Sequence, residues 1–336
     1  MTDLEHVLVL AGGLSVERDV SLRSGRRVAD ALRSVGVGAD VVDPDASLLP
    51  ALAADPPSAV FVALHGGPGE DGALKAVLDL VGVAHAGSTA SACRLAFDKP
   101  NAKAVVQAAG ISTSPWLALP HATFRELGAA AILRALVASL GLPLIVKPAS
   151  GGSALGVGVV TDAEQLPAAL VNCFGYGKTA LIERYVEGTE LAVTVLDRGD
   201  GPVALPPVEI AAASGRYDYA ARYTAGATEF HAPARVDDEV LVRAREVAVT
   251  AHRALGLSDL SRTDCIVDRH GEVQFLEVNV SPGLTETSLV PLAVAAEGLE
   301  LGVVLRDLLQ LAVQRAGRGS TVAPDGQHRT GPTLAG

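Results

Sequence analysis

Apolar positions along the first quarter of the chain follow two alternating rhythms. Residues 6–10 form a short apolar run that ends at Gly12 and Gly13. Residues 21–35 then carry Val28, Ala31, Leu32 and Val35 at helical spacing, until Gly36 and Gly38 break the pattern. Residues 39–42 read as a second strand, residues 60–64 as a wholly apolar strand of the kind a parallel sheet covers on both faces, and residues 72–80 as a helix. Strand, helix and strand in this order predict a small α/β unit over residues 1–87.

A second unit, residues 88–182, has helices predicted at 98–109 and 132–140, each closed by a glycine. Strands follow at 143–147 and 157–160, separated by a glycine-rich loop. Thr161 and Glu164 have the spacing of a capping box for a helix running through Leu170. Strands dominate afterwards, at 181–186, 191–196 and 203–210, with Gly199, Asp200 and Gly201 forming a hairpin turn between the last two. A helix at 240–255, strands at 264–268 and 272–278, and a final helix at 298–316 complete a third unit over residues 183–316. The predicted class is therefore α/β, becoming α+β in the C-terminal part. Residues 317–336 are rich in Gly, Ser, Thr and Pro, a composition that predicts a disordered tail.

Composition narrows the functional classes. With 38 acidic against 27 basic side chains the net charge is −11, so the long-range field opposes nucleic acid and anionic membrane partners. No apolar run reaches the roughly 18–20 residues a membrane helix needs, and the acidic start of the chain lacks the pattern of an export signal. The three cysteines are far apart and read as buried free thiols of a reducing compartment. These features predict a cytoplasmic globular protein.

The candidate chemistry concentrates near the C-terminal hairpin. Asp264, Glu277 and Asn279 are hard oxygen donors, the type magnesium prefers, with phosphate oxygens and water completing its octahedron. Glu277 and Asn279 are two apart, so on a strand they point the same way. A two-residue turn at Arg269 and His270 would pair Asp264 with Phe275, putting Arg262, Asp264, Glu277 and Asn279 on one face. A three-residue turn would send Asp264 to the opposite face from Glu277. Ser281, Pro282 and Gly283 follow directly, and their backbone N–H groups could steady a developing oxyanion.

Other candidates are individually weaker. Lys147 precedes a loop with three glycines that can bring backbone amides close to phosphate, though a plain hairpin loop looks the same. Lys99 and Lys147 are two of only five lysines, both next to a proline at an element boundary. Glu183 and Glu190 sit on consecutive strands, where they could contact an adenosine or simply face solvent. Glu17 follows a strand and begins a helix, a place for a carboxylate that either serves the helix dipole or holds a substrate ammonium. His65 lies in a loop after a parallel strand, where open α/β sheets hold ligands and where structural histidines are also common.

Taken in order, GGLSVERDVS at 12–21, ALHGGPGEDG at 63–72, LIVKP at 144–148, YDYAARY at 217–223 and EVNVSPGLTETSLVP at 277–291 make the chain resemble the D-alanine–D-alanine ligase family of the ATP-grasp superfamily. The resemblance runs from about residue 6 to residue 316. It implies an ATP-grasp fold preceded by an N-terminal α/β domain, and a peptide-bond-forming activity that uses ATP and two magnesium ions, with manganese as a substitute. Carried over by position, it implies that Lys99, Lys147 and Arg222 hold ATP phosphates, that Glu183 and Glu190 hold the adenosine, and that Asp264, Glu277 and Asn279 bind the metal. Glu17 and His65 would receive the first D-alanine, and Ser288 with the Leu289 backbone the carboxylate of the second. Arg262 and Gly283 would stabilise the acyl-transfer transition state, while Glu17, Ser153 and Tyr223 would close a loop over the site. It also implies a homodimer. Arg222, Ala154 and Val280 depart from the family's usual lysine, serine and threonine, so a ligase for another amino-acid pair, or a nucleotide-binding relative without catalysis, are the competing expectations.

The metal assignment makes a direct prediction. Glu277→Gln should abolish ATP-dependent turnover while the circular dichroism spectrum stays that of the folded protein, whereas a variant that keeps its turnover contradicts the assignment.

Overall fold

The computed structural model describes residues 4–213, 215, 221–222, 224 and 226–319. Among these, three separate sheets organise the chain. The first is parallel, with β1 (Val7–Leu10) between β2 (Ala39–Val42) and β3 (Ala59–Val62). Helix α1 (Arg18–Ser34) buries Val28, Ala29 and Leu32 on one face of it, while α2 (Leu48–Ala54) and α3 (Ala73–Leu80) cover the other through Leu48, Leu52 and Leu78. Covering on both faces is why β3 could be read from an unbroken apolar run.

Helices α4 (Ala90–Phe97) and α5 (Lys99–Ala108) lead to the second sheet, order β4-β7-β5-β6. Its strands are β4 (Trp116–Pro120), β5 (Leu144–Pro148), β6 (Gly158–Val160) and β7 (Thr179–Arg184), all antiparallel to their neighbours. Helices α6 (His121–Leu127), α7 (Ala129–Leu140) and α8 (Leu166–Phe174) pack on one face against Leu144, Val146, Ala180 and Ile182. The period of two turns Ile145, Lys147 and Glu183 to the other face, which is the wall of a cleft.

The third sheet forms the opposite wall. It comprises β8 (Gly188–Asp197), β9 (Pro202–Ala204), β10 (Val208–Ala212), β11 (Thr228–His231), β12 (Leu260–Asp268) and β13 (Val273–Asn279). Helix α9 (Asp238–Ala254) covers the face that carries Leu191, Val193, Val195, Cys265 and Val267. The final helices α10 (Leu289–Ala296) and α11 (Leu301–Gly319) join this sheet to the first. Val304, Leu305, Leu308 and Leu309 of α11 share one core with α1, β1, Leu196, Val208 and Leu260. The first and last parts of the chain are thus one packed body. All three cysteines are free and buried.

Several sequence expectations shift. The predicted strand at 203–210 is two strands, because Pro206 and Pro207 interrupt the ladder between β9 and β10. The capping box is built by Asp162 and Gln165, not Thr161 and Glu164, and opens a short 3₁₀ turn before α8. The last helix continues to Gly319, three residues past its predicted end at Ala316. The boundary expected at residue 182 falls inside β7. The rest of the expected tail lies outside the described residues.

His252 on α9 is buried, with Nδ1 2.8 Å from the Ser261 hydroxyl. Burial pushes its pKa down to about 4. Between its ordinary value of about 6.5 and that lowered value the unfolded chain binds more protons than the folded one, so its contribution is complete above about pH 6.5 and is lost as the pH falls. Urea unfolding at pH 7 and pH 5 should show the wild type losing roughly 2 kcal/mol more than His252→Gln over this interval; equal losses in both proteins contradict the assignment.

Candidate active site

Between the second and third sheets lies a cleft of about 940 Å³, within the size range of pockets that enclose a nucleotide-sized ligand. Ile145 and Val159 from one sheet face Ile210, Ile266 and Leu276 from the other, giving an apolar slot. Charged side chains line the remainder: Lys99, Lys147, Arg222, Glu183, Glu190, Asp264 and Glu277. Glu17 and Gly66, from the loops after β1 and β3, close one end.

The hairpin at the cleft wall corrects one expectation and keeps its consequence. Around the turn Cys265 pairs with Phe275, Ile266 with Gln274 and Val267 with Val273, the register of a three-residue turn. Alone, that register would separate Asp264 from Glu277. A β-bulge between Asp264 and Cys265 restores it, because Leu276 is an extra residue on β13 and Asp264 then pairs with Glu277 and Arg262 with Asn279. Four polar side chains therefore share one face through a bulge and not through the turn.

Two carboxylates directly opposite each other repel, and the surroundings compensate. Arg262 donates Nε and Nη2 to the two oxygens of Asp264 at 2.7 and 2.8 Å. Lys99 Nζ lies 3.2 Å from Glu277 Oε2 and donates to the Gly151 carbonyl at 2.6 Å. Burial alone would raise the pKa of Glu277, but Lys99, Lys147 and Arg222 outweigh it and hold the carboxyl below its usual range. The Asn279 amide donates to Asp264 Oδ2 at 3.2 Å, so its carbonyl oxygen remains as an acceptor. The donors are two carboxylates and an amide; among the described residues no three His, Cys, Asp or Glu side chains cluster in a metal-holding arrangement.

Lys147 sits on β5 with Nζ 2.5 Å from Glu183 Oε2. Burial would lower its pKa, but Glu183 and Glu277 leave it raised. The opposite balance holds for Glu183, where Lys147 and Lys103 overcome burial and lower the pKa. Glu190 is half-buried across the cleft, and burial lifts its pKa to about 7 against the pull of Arg222. After β5 the glycine-rich loop reaches toward the N-terminal unit, and Ser153 and Ala154 hold positive φ values of 53° and 55°, uncommon for residues with a Cβ. The Ser153 hydroxyl donates to Glu17 Oε1. Glu17 also lies against Gly66, where a Cβ would come 2.6 Å from Oε2. The structure thus brings Glu17 and Ser153 together, while Tyr223, expected as their third partner, lies outside the described residues.

His65 is fully engaged. The Ser281 carbonyl can only accept, so Nδ1, 3.1 Å away, carries the hydrogen. Nε2 then accepts from the Ser24 hydroxyl at 2.9 Å, and Ser24 Oγ in turn accepts the Leu284 N–H at 3.2 Å. Burial lowers the His65 pKa to about 4, so the ring is neutral at physiological pH. Both ends of the segment from Ser281 to Leu284, with Gly283 between them, are pinned to the N-terminal unit. Gly283 lies against Ser288, since a Cβ there would come 2.9 Å from Ser288 Oγ. Ser288 Oγ accepts the Thr285 N–H at 3.0 Å, and Leu289 opens α10, whose free N–H groups suit a carboxylate.

Sequence reasoning missed Lys103, Ser24 and Leu276. Lys103 is four residues after Lys99 on α5, a spacing that puts both on one helix face. Ser24 follows Ser21 by three on α1, and both are buried. Leu276 carries no turn or glycine signal that would mark a bulge.

A family model described as "D-ala D-ala ligase C-terminus" matches residues 105–310. The D-alanine–D-alanine ligase of Anaeromyxobacter sp. (strain Fw109-5) is 42% identical over 312 residues, covering 93% of this chain and 98% of that protein. The crystal structure of the D-alanine–D-alanine ligase from Bacillus anthracis superposes with a TM-score of 0.79 at 27% identity, over 94% of this chain and 99% of that one. The VanG D-Ala:D-Ser ligase from Enterococcus faecalis gives a TM-score of 0.79 at 28% identity, over 92% and 100%.

Ser24→Ala should leave His65 Nε2 and the Leu284 N–H unpartnered, costing about 1–3 kcal/mol in urea unfolding and speeding hydrogen exchange at the Leu284 amide. Unchanged exchange at that amide would show that the clamp does not hold the segment.

Proposed function

Because this chain belongs to the D-alanine–D-alanine ligase family, we propose that it joins two D-alanine molecules at the expense of ATP, releasing ADP and phosphate. The observation that carries the reading is the bulged hairpin, which faces Asp264 toward Glu277 at the wall of a nucleotide-sized cleft beside Lys99 and Lys147. The apolar slot between Ile145 and Leu276 takes the base, with Glu183 and Glu190 at the adenosine end. Lys99, Lys147 and Arg222 face the phosphates, and the amides of the glycine-rich loop cover them.

Two carboxylates and one amide carbonyl are the incomplete, hard donor set that magnesium takes when a nucleotide supplies the remaining oxygens. In this reading Asp264, Glu277 and Asn279 hold the ions, which supply charge neutralisation for phosphoryl transfer. The first D-alanine is held by its ammonium at Glu17, and its carboxylate takes the γ-phosphoryl group to become an acyl phosphate. Ser288 and the Leu289 N–H hold the carboxylate of the second D-alanine, whose amine, once deprotonated, attacks the acyl carbon, and phosphate leaves. Gly283 N–H and Arg262 face the oxyanion that develops there. The contact of Ser153 with Glu17 draws the glycine-rich loop over the site and keeps water from the acyl phosphate.

The reading includes three units, with boundaries near residue 87 and between β7 and β8, a homodimer, and a cytoplasmic location where ATP is made; among the described residues no helix is long and apolar enough to cross a membrane. The likeness to a D-Ala:D-Ser ligase favours one second reading, in which D-serine is the second substrate.

Phosphate release with ATP and magnesium should be fastest with D-alanine alone, compared with D-alanine plus D-serine or D-lactate. Turnover that requires D-serine would replace the first reading with the second, and no release with any pair would remove both.

A further inference from the structure

Lys103 is the most deeply buried cation in the described structure for which the mechanism above has no use. It is 0% exposed, yet it lies in the layer directly behind the cleft wall. Its ammonium has three donors and three acceptors around it: Glu183 Oε1 at 2.6 Å, the Thr113 hydroxyl, and the Phe275 carbonyl at 3.3 Å. Thr113 also donates to the Phe275 carbonyl, at 2.9 Å. Phe275 precedes the bulge that sets Glu277, so one side chain links α5, the β7 carboxylate and the β13 backbone. Burying an ammonium is costly unless it is fully paired, and here every N–H is matched.

The pairing of Glu183 is the informative feature. Its carboxylate is 1% exposed and lies between two ammonium groups, Lys103 behind it and Lys147 on the cleft side. The triad carries a net charge of +1. Without Lys103, Glu183 would cancel Lys147, and the wall facing the phosphates would present no net charge from this cluster. With Lys103 in place, Glu183 has a counter-ion that never leaves it, and the charge of Lys147 is available to a phosphate. Lys103 does not line the cleft itself, and its charge reaches the wall through Glu183, which also pairs with Lys147.

We propose that Lys103 is a positioning residue that neutralises Glu183 from behind and thereby leaves Lys147 electrostatically free for the nucleotide's phosphates. The inference rests on the reading of the cleft as an ATP site. It differs from a packing role in one respect: it concerns the phosphate part of binding and not the adenosine part.

The test compares adenosine with ADP by calorimetric titration at fixed magnesium. The ratio of their dissociation constants, adenosine over ADP, isolates what the phosphates contribute and cancels any general loosening of the pocket. Lys103→Met should lower this ratio by about tenfold, the order expected for one unit of charge about 12 Å away at an effective dielectric constant near 20. Glu183→Gln should raise it, and the double variant, whose triad again carries +1, should return it toward the wild-type value even though its adenosine affinity is altered. If Lys103→Met fails to fold, as judged by circular dichroism, the comparison of Glu183→Gln with the double variant carries the test, because neither leaves a buried carboxylate unneutralised. A ratio that stays at the wild-type value in Lys103→Met, or is equal in Glu183→Gln and the double variant, overturns the inference and leaves Lys103 a packing residue. A wild-type protein that binds neither ligand overturns instead the reading of the cleft.

Discussion

Two carboxylates, Asp264 and Glu277, stand directly opposite each other on paired strands, and the rest of the site is arranged around that repulsion. Like charges in this position destabilise a ladder, and removing them from water makes each more costly. The chain answers with a cation for each: Arg262 grips Asp264 with two hydrogen bonds, and Lys99 meets Glu277 from the start of α5. Lys99 also holds the Gly151 carbonyl, so the same contact fixes the glycine-rich loop of the second sheet against the hairpin of the third. A structural requirement and a chemical one coincide here, since the cations that allow the carboxylates to face each other also line the place where phosphates would lie.

The division of labour among the three sheets follows from which faces are covered. Helices pack on one face of the second and third sheets, and on the other face part of the third sheet packs against the last two helices while the rest meets the second sheet across the cleft. The first sheet is covered on both sides and contributes only loops to the cleft. Glu17 reaches Ser153 from one of them, and His65 pins Ser281 from another. Because α11 and α1 share a core with β8, β10 and β12, these loops are held by the same packing that holds the hairpin. The N-terminal unit is thus packed against the third sheet at its base, and its Glu17 accepts a hydrogen bond from Ser153 of the glycine-rich loop.

How much of this was legible in the sequence depends on the kind of constraint. Glu277 and Asn279 were readable because a strand has period two and both residues lie on it. Asp264 is placed on their face by the expected two-residue turn, whereas the structure brings it there through the bulge at Leu276, which was not legible because a leucine followed by a glutamate looks like ordinary strand sequence. Lys99 and Lys147 stood out by rarity and position, whereas Lys103 reads as one more polar residue on a helix until the tertiary structure buries it. His65 was recognised by its loop, but its partners Ser24 and Ser281 are 41 and 216 residues away, beyond any local pattern. Elements set by local chemistry, such as β3 or the helix after Asp162, were found to within a few residues. Those set by long-range packing, such as β4 and β11 at the sheet edges, were missed.

The central claim is that the opposed carboxylates exist to bind a divalent cation together with nucleotide. It is tested most directly by calorimetric titration of ADP with and without magnesium, in the wild type and in Glu277→Gln. The account predicts that magnesium strengthens ADP binding to the wild type and that most of this gain disappears in the variant. An equal gain in both proteins would contradict it.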